Sequence, residues 1–222
     1  MVRAKLCGLG TEADVHAAVD AGADALGFVT DVGVDTPREV APERAAALVD
    51  AVPPFVTTVA VTLPDSVDNA VELAERVGAD AVQIHGEFEP DEVREIRERA
   101  GVNVIVAIGA DETERAHELD GAADALLVDS LTDDGAGGTG ETHDWVATRE
   151  LRRELSRPLV LAGGLTPENV REAVERVDPF AVDVASGVEQ ADEPGRKDHE
   201  ALQAFVREAT RVDGTEPTTE EA

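Results

Sequence analysis

One thiol, Cys7, stands in this chain of 222 residues, and its neighbours give it a chemical context. It ends an apolar run over residues 2–7 in which period-two alternation puts Arg3, Lys5 and Cys7 on one face and Val2, Ala4 and Leu6 on the other. A thiol with a cation one layer below it is a candidate proton acceptor, because a nearby positive charge favours the thiolate. Asp129 closes a second run, residues 125–129, where a carboxylate is costly to bury without a partner or a task. Asp183 interrupts residues 181–185 and calls for a basic or hydroxyl partner. Arg38 offers the planar fork that pairs with a carboxylate, and His85, at the end of another run, can donate to a ligand or to its neighbours. No group of His, Cys and acidic residues has metal-ligand spacing, so no metal is expected. A lone cysteine also excludes an intramolecular disulfide and a Cys-rich metal cluster.

Two glycine clusters follow later runs: Ala162-Gly163-Gly164-Leu165 and Ala185-Ser186-Gly187-Val188. Backbone amides exposed at glycine, with a hydroxyl beside them, can cradle a phosphate dianion, and two such clusters after consecutive strands point to a phosphate site. A third, Gly137-Gly138-Thr139-Gly140, lacks the spacing and the lysine of a nucleotide triphosphate loop and reads as a mobile lid.

Holding these residues in place falls to eight apolar runs: residues 2–7, 25–29, 56–61, 81–85, 102–108, 125–129, 159–162 and 181–185. Segments of helical periodicity follow them, among them 14–19, 42–49, 67–77 and 167–177, with Pro42, Pro90 and Pro167 near helix starts. Eight strand–helix rounds in this length fit a single (β/α)8 barrel, in which chemistry gathers at the strand C-termini. An open doubly wound sheet has the same local pattern. An internal echo places Gly22, Gly78 and Gly121 two or three residues before an aspartate that leads into a strand, as left-handed helix caps would require. The barrel domain is expected over residues 1–211, and 212–222, apolar-poor and acidic, as a disordered tail.

Charge narrows the function classes: 48 acidic against 19 basic residues leave a net charge of −29, which repels nucleic acid and anionic membranes alike. No long uncharged apolar run or leader-like N-terminus is present, so a cytoplasmic protein is expected. Only Lys5 and Lys197 are lysine, and the acidic excess is spread along the whole chain, a pattern suited to concentrated salt.

Several stretches, in order, resemble the phosphoribosylanthranilate isomerase family over roughly residues 2–205: Lys5-Leu6-Cys7-Gly8-Leu9, Val82-Gln83-Ile84-His85-Gly86, Leu127-Val128-Asp129-Ser130, Gly137-Gly138-Thr139-Gly140, Ala162-Gly163-Gly164-Leu165-Thr166-Pro167-Glu168-Asn169 and Val182-Asp183-Val184-Ala185-Ser186-Gly187-Val188-Glu189. The resemblance implies a cofactor-free (β/α)8 isomerase of tryptophan biosynthesis that rearranges a phosphosugar substrate, as a monomer or homodimer. It further implies Cys7 as general base, Asp129 as general acid, and Arg38 on the substrate carboxylate. His85 and Asp183 would contact substrate, and Gly163, Gly164, Ser186 and Gly187 its phosphate. The chain departs from the family at Glu141 and His143, at Val106-Ala107-Ile108 where a lysine is common, and at Thr166 where an asparagine is usual. Set beside this are a histidine-pathway isomerase, against which Cys7 at the end of the first strand speaks, and a noncatalytic phosphosugar-binding barrel, against which the pair Cys7 and Asp129 speaks.

Overall fold

Eight parallel strands close on themselves in the computed structural model, which describes residues 1–129 and 144–211. The chain runs β1 (Arg3–Cys7), α1 (Glu12–Asp20), β2 (Ala25–Val29), α2 (Pro42–Asp50), β3 (Thr57–Thr62), α3 (Val67–Val77), β4 (Ala81–Ile84) and α4 (Pro90–Ala100). It continues with β5 (Asn103–Gly109), α5 (Thr113–Leu119), β6 (Ala125–Asp129), α6 (Trp145–Glu154), β7 (Leu159–Leu161), α7 (Val170–Val177) and β8 (Ala181–Val184). The ring closes where β1 pairs with β8, with Lys5 level with Asp183. After β8 come a single 3-10 turn (Ser186–Val188), an antiparallel hairpin of β9 (Glu189–Gln190) and β10 (Glu193–Lys197), and α8 (His199–Thr210). The hairpin was not expected from the sequence; the eight strands agree with the apolar runs to within one residue.

Local chemistry sets the element ends. Thr11 and Asp14 form a reciprocal capping box at α1, and Ser66 caps α3 through the Asn69 amide, so each side chain satisfies an amide that the helix leaves without a carbonyl. Pro42 and Pro90 open α2 and α4. Pro167 does not: α7 starts at Val170, and Thr166 to Asn169 form a turn in which the Thr166 amide donates to Asn169 Oδ1. The glycine caps are also mixed. Gly78 ends α3 at φ 70°, and Gly22 follows α1 at φ 85°, but Gly121 is not left-handed, and Asp120, the residue that caps α5, is right-handed. There the Asp120 carboxylate accepts from the Ser156 and Arg157 amides and ties the end of α5 to the link before β7.

The aspartates of that echo have a role of their own. Asp24 Oδ2 accepts from the Ala4 amide at 2.9 Å, Asp80 Oδ2 from Thr58 at 2.8 Å, and Asp124 Oδ2 from Val104 at 3.0 Å. These three residues, just before β2, β4 and β6, thus each take up an amide at the start of the preceding odd-numbered strand, on the barrel's N-terminal face.

Strand side chains divide by parity. Leu6, Leu26, Phe28, Val82, Ile84, Ile108 and Leu126 are fully buried against the helical layer, each stabilising by about 1.5–3 kcal/mol relative to exposure. The opposite parity fills the barrel interior with smaller residues, including Cys7, Val59, Val61, Ala81, Ala107, Leu127 and Val160. The expected lid at Gly137 to Gly140, the departures Glu141 and His143, and the tail 212–222 lie outside the described residues.

Candidate active site

The strand C-termini open on one cavity, and all nine candidate residues line it: Cys7, Arg38, His85, Asp129, Gly163, Gly164, Asp183, Ser186 and Gly187. Gln83 and the apolar Val29, Val32, Leu63 and Leu165 are also among its walls, enough hydrocarbon for a flat ring beside polar groups.

Cys7 points into the barrel from the end of β1 and is buried. A Cβ placed on Gly27 of β2 would lie 2.8 Å from Cys7 Sγ and 3.2 Å from Lys5 Nζ. The bare glycine is therefore what lets thiol and ammonium share this space. Lys5 Nζ donates to Asp183 Oδ1 at 2.8 Å, which supplies the basic partner that the inward carboxylate demanded. Burial disfavours the Lys5 ammonium, but the charges of Asp183 and Cys7 outweigh it and hold Lys5 above its ordinary value. Cys7 departs from the expectation of a cation-favoured thiolate. Burial pushes its thiol up, Lys5 and Lys197 offset only part of that, and Asp183 adds to the rise.

Asp129 sits at the end of β6, buried, level with Gly109 of β5. His85 follows β4, and its Nε2 lies 3.1 Å from the side-chain nitrogen of the buried Gln83.

Arg38 belongs to the loop between β2 and α2, and its side chain crosses Gly8, where a Cβ would meet the arginine stem at 3.0 Å. Its guanidinium is already forked by Glu189: Nε donates to Oε1 at 2.7 Å and Nη2 to Oε2 at 3.0 Å. Glu189 also accepts from Lys197 Nζ at 3.0 Å and from the Gly195 amide at 3.0 Å, while Lys197 Nζ donates to the Ala185 carbonyl at 2.8 Å. Burial opposes ionisation of Glu189, yet the hydrogen bonds from Arg38 and Gly195 and the charge of Lys197 hold its carboxyl below the usual glutamate range. Burial lowers Lys197 despite Glu189 beside it.

The two glycine loops meet. Gly163 and Gly164 take φ values of 83° and 61°, conformations that a side chain would resist. Asn169 Nδ2 donates to the Gly164 carbonyl at 2.8 Å and fixes the loop after β7. A Cβ on Gly187 would stand 1.9 Å from the Leu165 carbonyl oxygen, so the loops after β7 and β8 touch through backbone alone.

Gln83, Glu189 and Lys197 were not singled out as site residues from the sequence. Gln83 and His85 share the inward parity of β4, a signal that was readable. Lys197 is one of only two lysines, and both are buried at this site, a signal that composition offered. Among the described residues no cluster of three or more His, Cys, Asp or Glu could hold a metal ion, and no helix is long and apolar enough to cross a membrane.

The family model described as N-(5′-phosphoribosyl)anthranilate (PRA) isomerase matches residues 4–208. A protein named N-(5′-phosphoribosyl)anthranilate isomerase from Halorubrum lacusprofundi is 56% identical over 95% of this chain and 98% of its own length. Its namesake from Haloferax volcanii is 51% identical over 100% of this chain and 99% of its own length; both sources are halophilic archaea. Among solved structures, phosphoribosyl anthranilate isomerase from Thermotoga maritima superposes with a TM-score of 0.83 at 40% identity, covering 94% of this chain and 98% of that one. Another phosphoribosyl anthranilate isomerase, in complex with reduced 1-(o-carboxyphenylamino)-1-deoxyribulose 5-phosphate, gives a TM-score of 0.80 at 38% identity over 94% of this chain and 98% of that one.

Proposed function

The chain belongs to the N-(5′-phosphoribosyl)anthranilate isomerase family, and we propose on that footing that its Cys7 and Asp129 move the protons of the reaction. It is the isomerase that converts N-(5-phosphoribosyl)anthranilate into 1-(2-carboxyphenylamino)-1-deoxyribulose 5-phosphate, an Amadori rearrangement. Asp129, protonated, delivers its proton to the furanose ring oxygen as the C1′–O bond breaks, leaving a Schiff base between C1′ and the anthranilate nitrogen. Cys7, as thiolate, removes the proton from C2′, and the electron pair moves to the C1′=C2′ bond, giving an enolamine. Tautomerisation of the enolamine yields the ketone. Each transfer needs its group within hydrogen-bond reach of the reacting atom, a requirement that two strand ends around one mouth can meet.

The observation that carries this reading is that all nine candidate residues line a single cavity. Lys5 supports Cys7 as the counter-charge of the thiolate formed in a buried place. The Gly163–Gly164 and Ser186–Gly187 segments suit a phosphate dianion, because their backbone lines the cavity where a side chain would be strained at Gly163 and Gly164 and would not fit at Gly187. Arg38 keeps the two-nitrogen end of its guanidinium for the anthranilate carboxylate, Glu189 having taken the side. His85 and Asp183 are read as contacts to the sugar. Purified protein mixed with phosphoribosylanthranilate should extinguish the substrate's fluorescence; no turnover at any salt concentration would refute the assignment.

A further inference from the structure

Arg38 is held from two sides before any substrate arrives, and neither holder was singled out from the sequence as part of the site. Its stem lies across Gly8, directly after Cys7, with the nearest contact a built Cβ would make at 3.0 Å. Its Nε and Nη2 are clamped by Glu189 at 2.7 and 3.0 Å. Glu189 is itself anchored by Lys197 Nζ and the Gly195 amide, both at 3.0 Å. Gly195 in turn abuts the arginine's own loop, since a Cβ there would fall 2.5 Å from the Pro37 carbonyl oxygen. The β9–β10 hairpin is thus a bracket across the mouth, and Glu189 is its contact with the guanidinium.

Resting on the carboxylate role of Arg38 given above, we infer that Glu189 is a positioning residue that selects for a carboxylate-bearing substrate by fixing the plane of the Arg38 guanidinium. The physical reasons are two. A side-on fork leaves only the end-on pair of donors for a second carboxylate, so the substrate must meet the guanidinium in one plane. The charge count also matters: Arg38 and Lys197 against Glu189 leave one net positive charge, which one substrate carboxylate neutralises. Without Glu189 the excess cation would still attract anions but would no longer orient them, and a misplacement of roughly 1 Å can cost about 10²-fold in rate.

The test compares kcat/KM for phosphoribosylanthranilate and for its analogue lacking the ring carboxylate, in the parent, Glu189→Gln, Arg38→Ala and the double variant. Glu189→Gln should lose at least about tenfold on the carboxylate substrate and far less on the analogue, so that the preference between them shrinks. In the Arg38→Ala background the same change should cost less than about twofold, because a residue acting through another has nothing left to position. Equal losses on both substrates, or the same loss with and without Arg38, would assign Glu189 to general stability and overturn the inference. If Arg38→Ala keeps the full preference, the carboxylate role of Arg38 falls, and this inference with it. Should Glu189→Gln not fold, Arg38→Lys keeps the charge but cannot be forked, and leaves Glu189 on Lys197 and Gly195. Its preference should shrink in the same manner, and a preserved one overturns the inference.

Discussion

Lys5 Nζ and Asp183 Oδ1 lie 2.8 Å apart across the seam where β1 meets β8, on residues that face each other in the strand register. The ion pair therefore lies where the barrel closes, one layer beneath the thiol. Removing one partner leaves a buried charge without its counter-charge, so Lys5→Met should destabilise the fold by about 3–5 kcal/mol. Lys5→Met with Asp183→Asn should recover much of that loss. Chemical denaturation at fixed KCl measures both; a double variant as unstable as the sum of the two single ones would show that the pair is not coupled.

Cys7 is the only thiol, and the chain contains no tyrosine, so thiolate absorbance near 240 nm reports on one residue without tyrosinate beneath it. With burial as the leading influence, the midpoint should lie above the ordinary thiol value of about 8.5. The sign for activity follows: a base works deprotonated, so the limb governed by Cys7 rises with pH and is still climbing past that value. Lys5→Met should move the midpoint higher, because a charge that lowers it has gone. A midpoint at or below 8.5 in the parent would contradict the dominance of burial.

Cys7→Ala and Asp129→Asn should each reduce turnover by roughly 10²-fold or more, the ordinary scale of lost general acid or base catalysis. Circular dichroism should show both folded, since Cys7 and Asp129 stand at strand ends. Near-parental turnover in either variant removes its role.

Gly187→Ala places a methyl group 1.9 Å from the Leu165 carbonyl oxygen, which must then move and separate the two glycine loops. Inorganic phosphate should compete with substrate in the parent, measured at the lowest KCl that keeps the protein folded, and compete far less in the variant. Unchanged phosphate inhibition in Gly187→Ala would place the phosphate elsewhere.

A net charge of −29 should make stability rise with salt. The screening length is roughly 30 Å at 0.01 M and roughly 3 Å at 1 M, so repulsion spans much of the domain in the first case and only neighbours in the second. Thermal unfolding and activity should both improve across a KCl series, and sucrose should not substitute. Equal melting temperatures at roughly 0.05 M and 2 M KCl would rule the screening account out.

Period-two alternation made the inward set legible: Lys5 and Cys7 on one strand, and Asp183 as a carboxylate in need of a base, follow from parity and desolvation alone. Turn glycines pointed to the loops after β7 and β8 for the same kind of local reason. What the sequence withheld depends on distance along the chain or on enclosure. Arg38 and Glu189 are separated by 151 positions, and no local pattern announces that one will fork the other. The β9–β10 hairpin has too short a first strand for alternation to show. The direction in which the Cys7 thiol moves is set by how completely the barrel encloses it, which spacing to Lys5 does not reveal. Asp24, Asp80 and Asp124 were visible as an echo, but the glycines before them drew the explanation, and at Gly121 that explanation failed.

Those three aspartates also bear on how the barrel could be cut and rebuilt. Their carboxylates join β1 to β2, β3 to β4 and β5 to β6, and never an even-numbered strand to the odd one after it. The joints within each couple therefore carry a side-chain lock that the joints between couples lack at the same level. A fragment ending after α2 or α4 contains every lock it participates in, whereas one ending after α1 or α3 separates an aspartate from the amide it holds. Fragment complementation should therefore succeed better with cuts after α2 or α4 than with cuts after α1 or α3, and equal recovery from both kinds of cut would show that these locks do not matter.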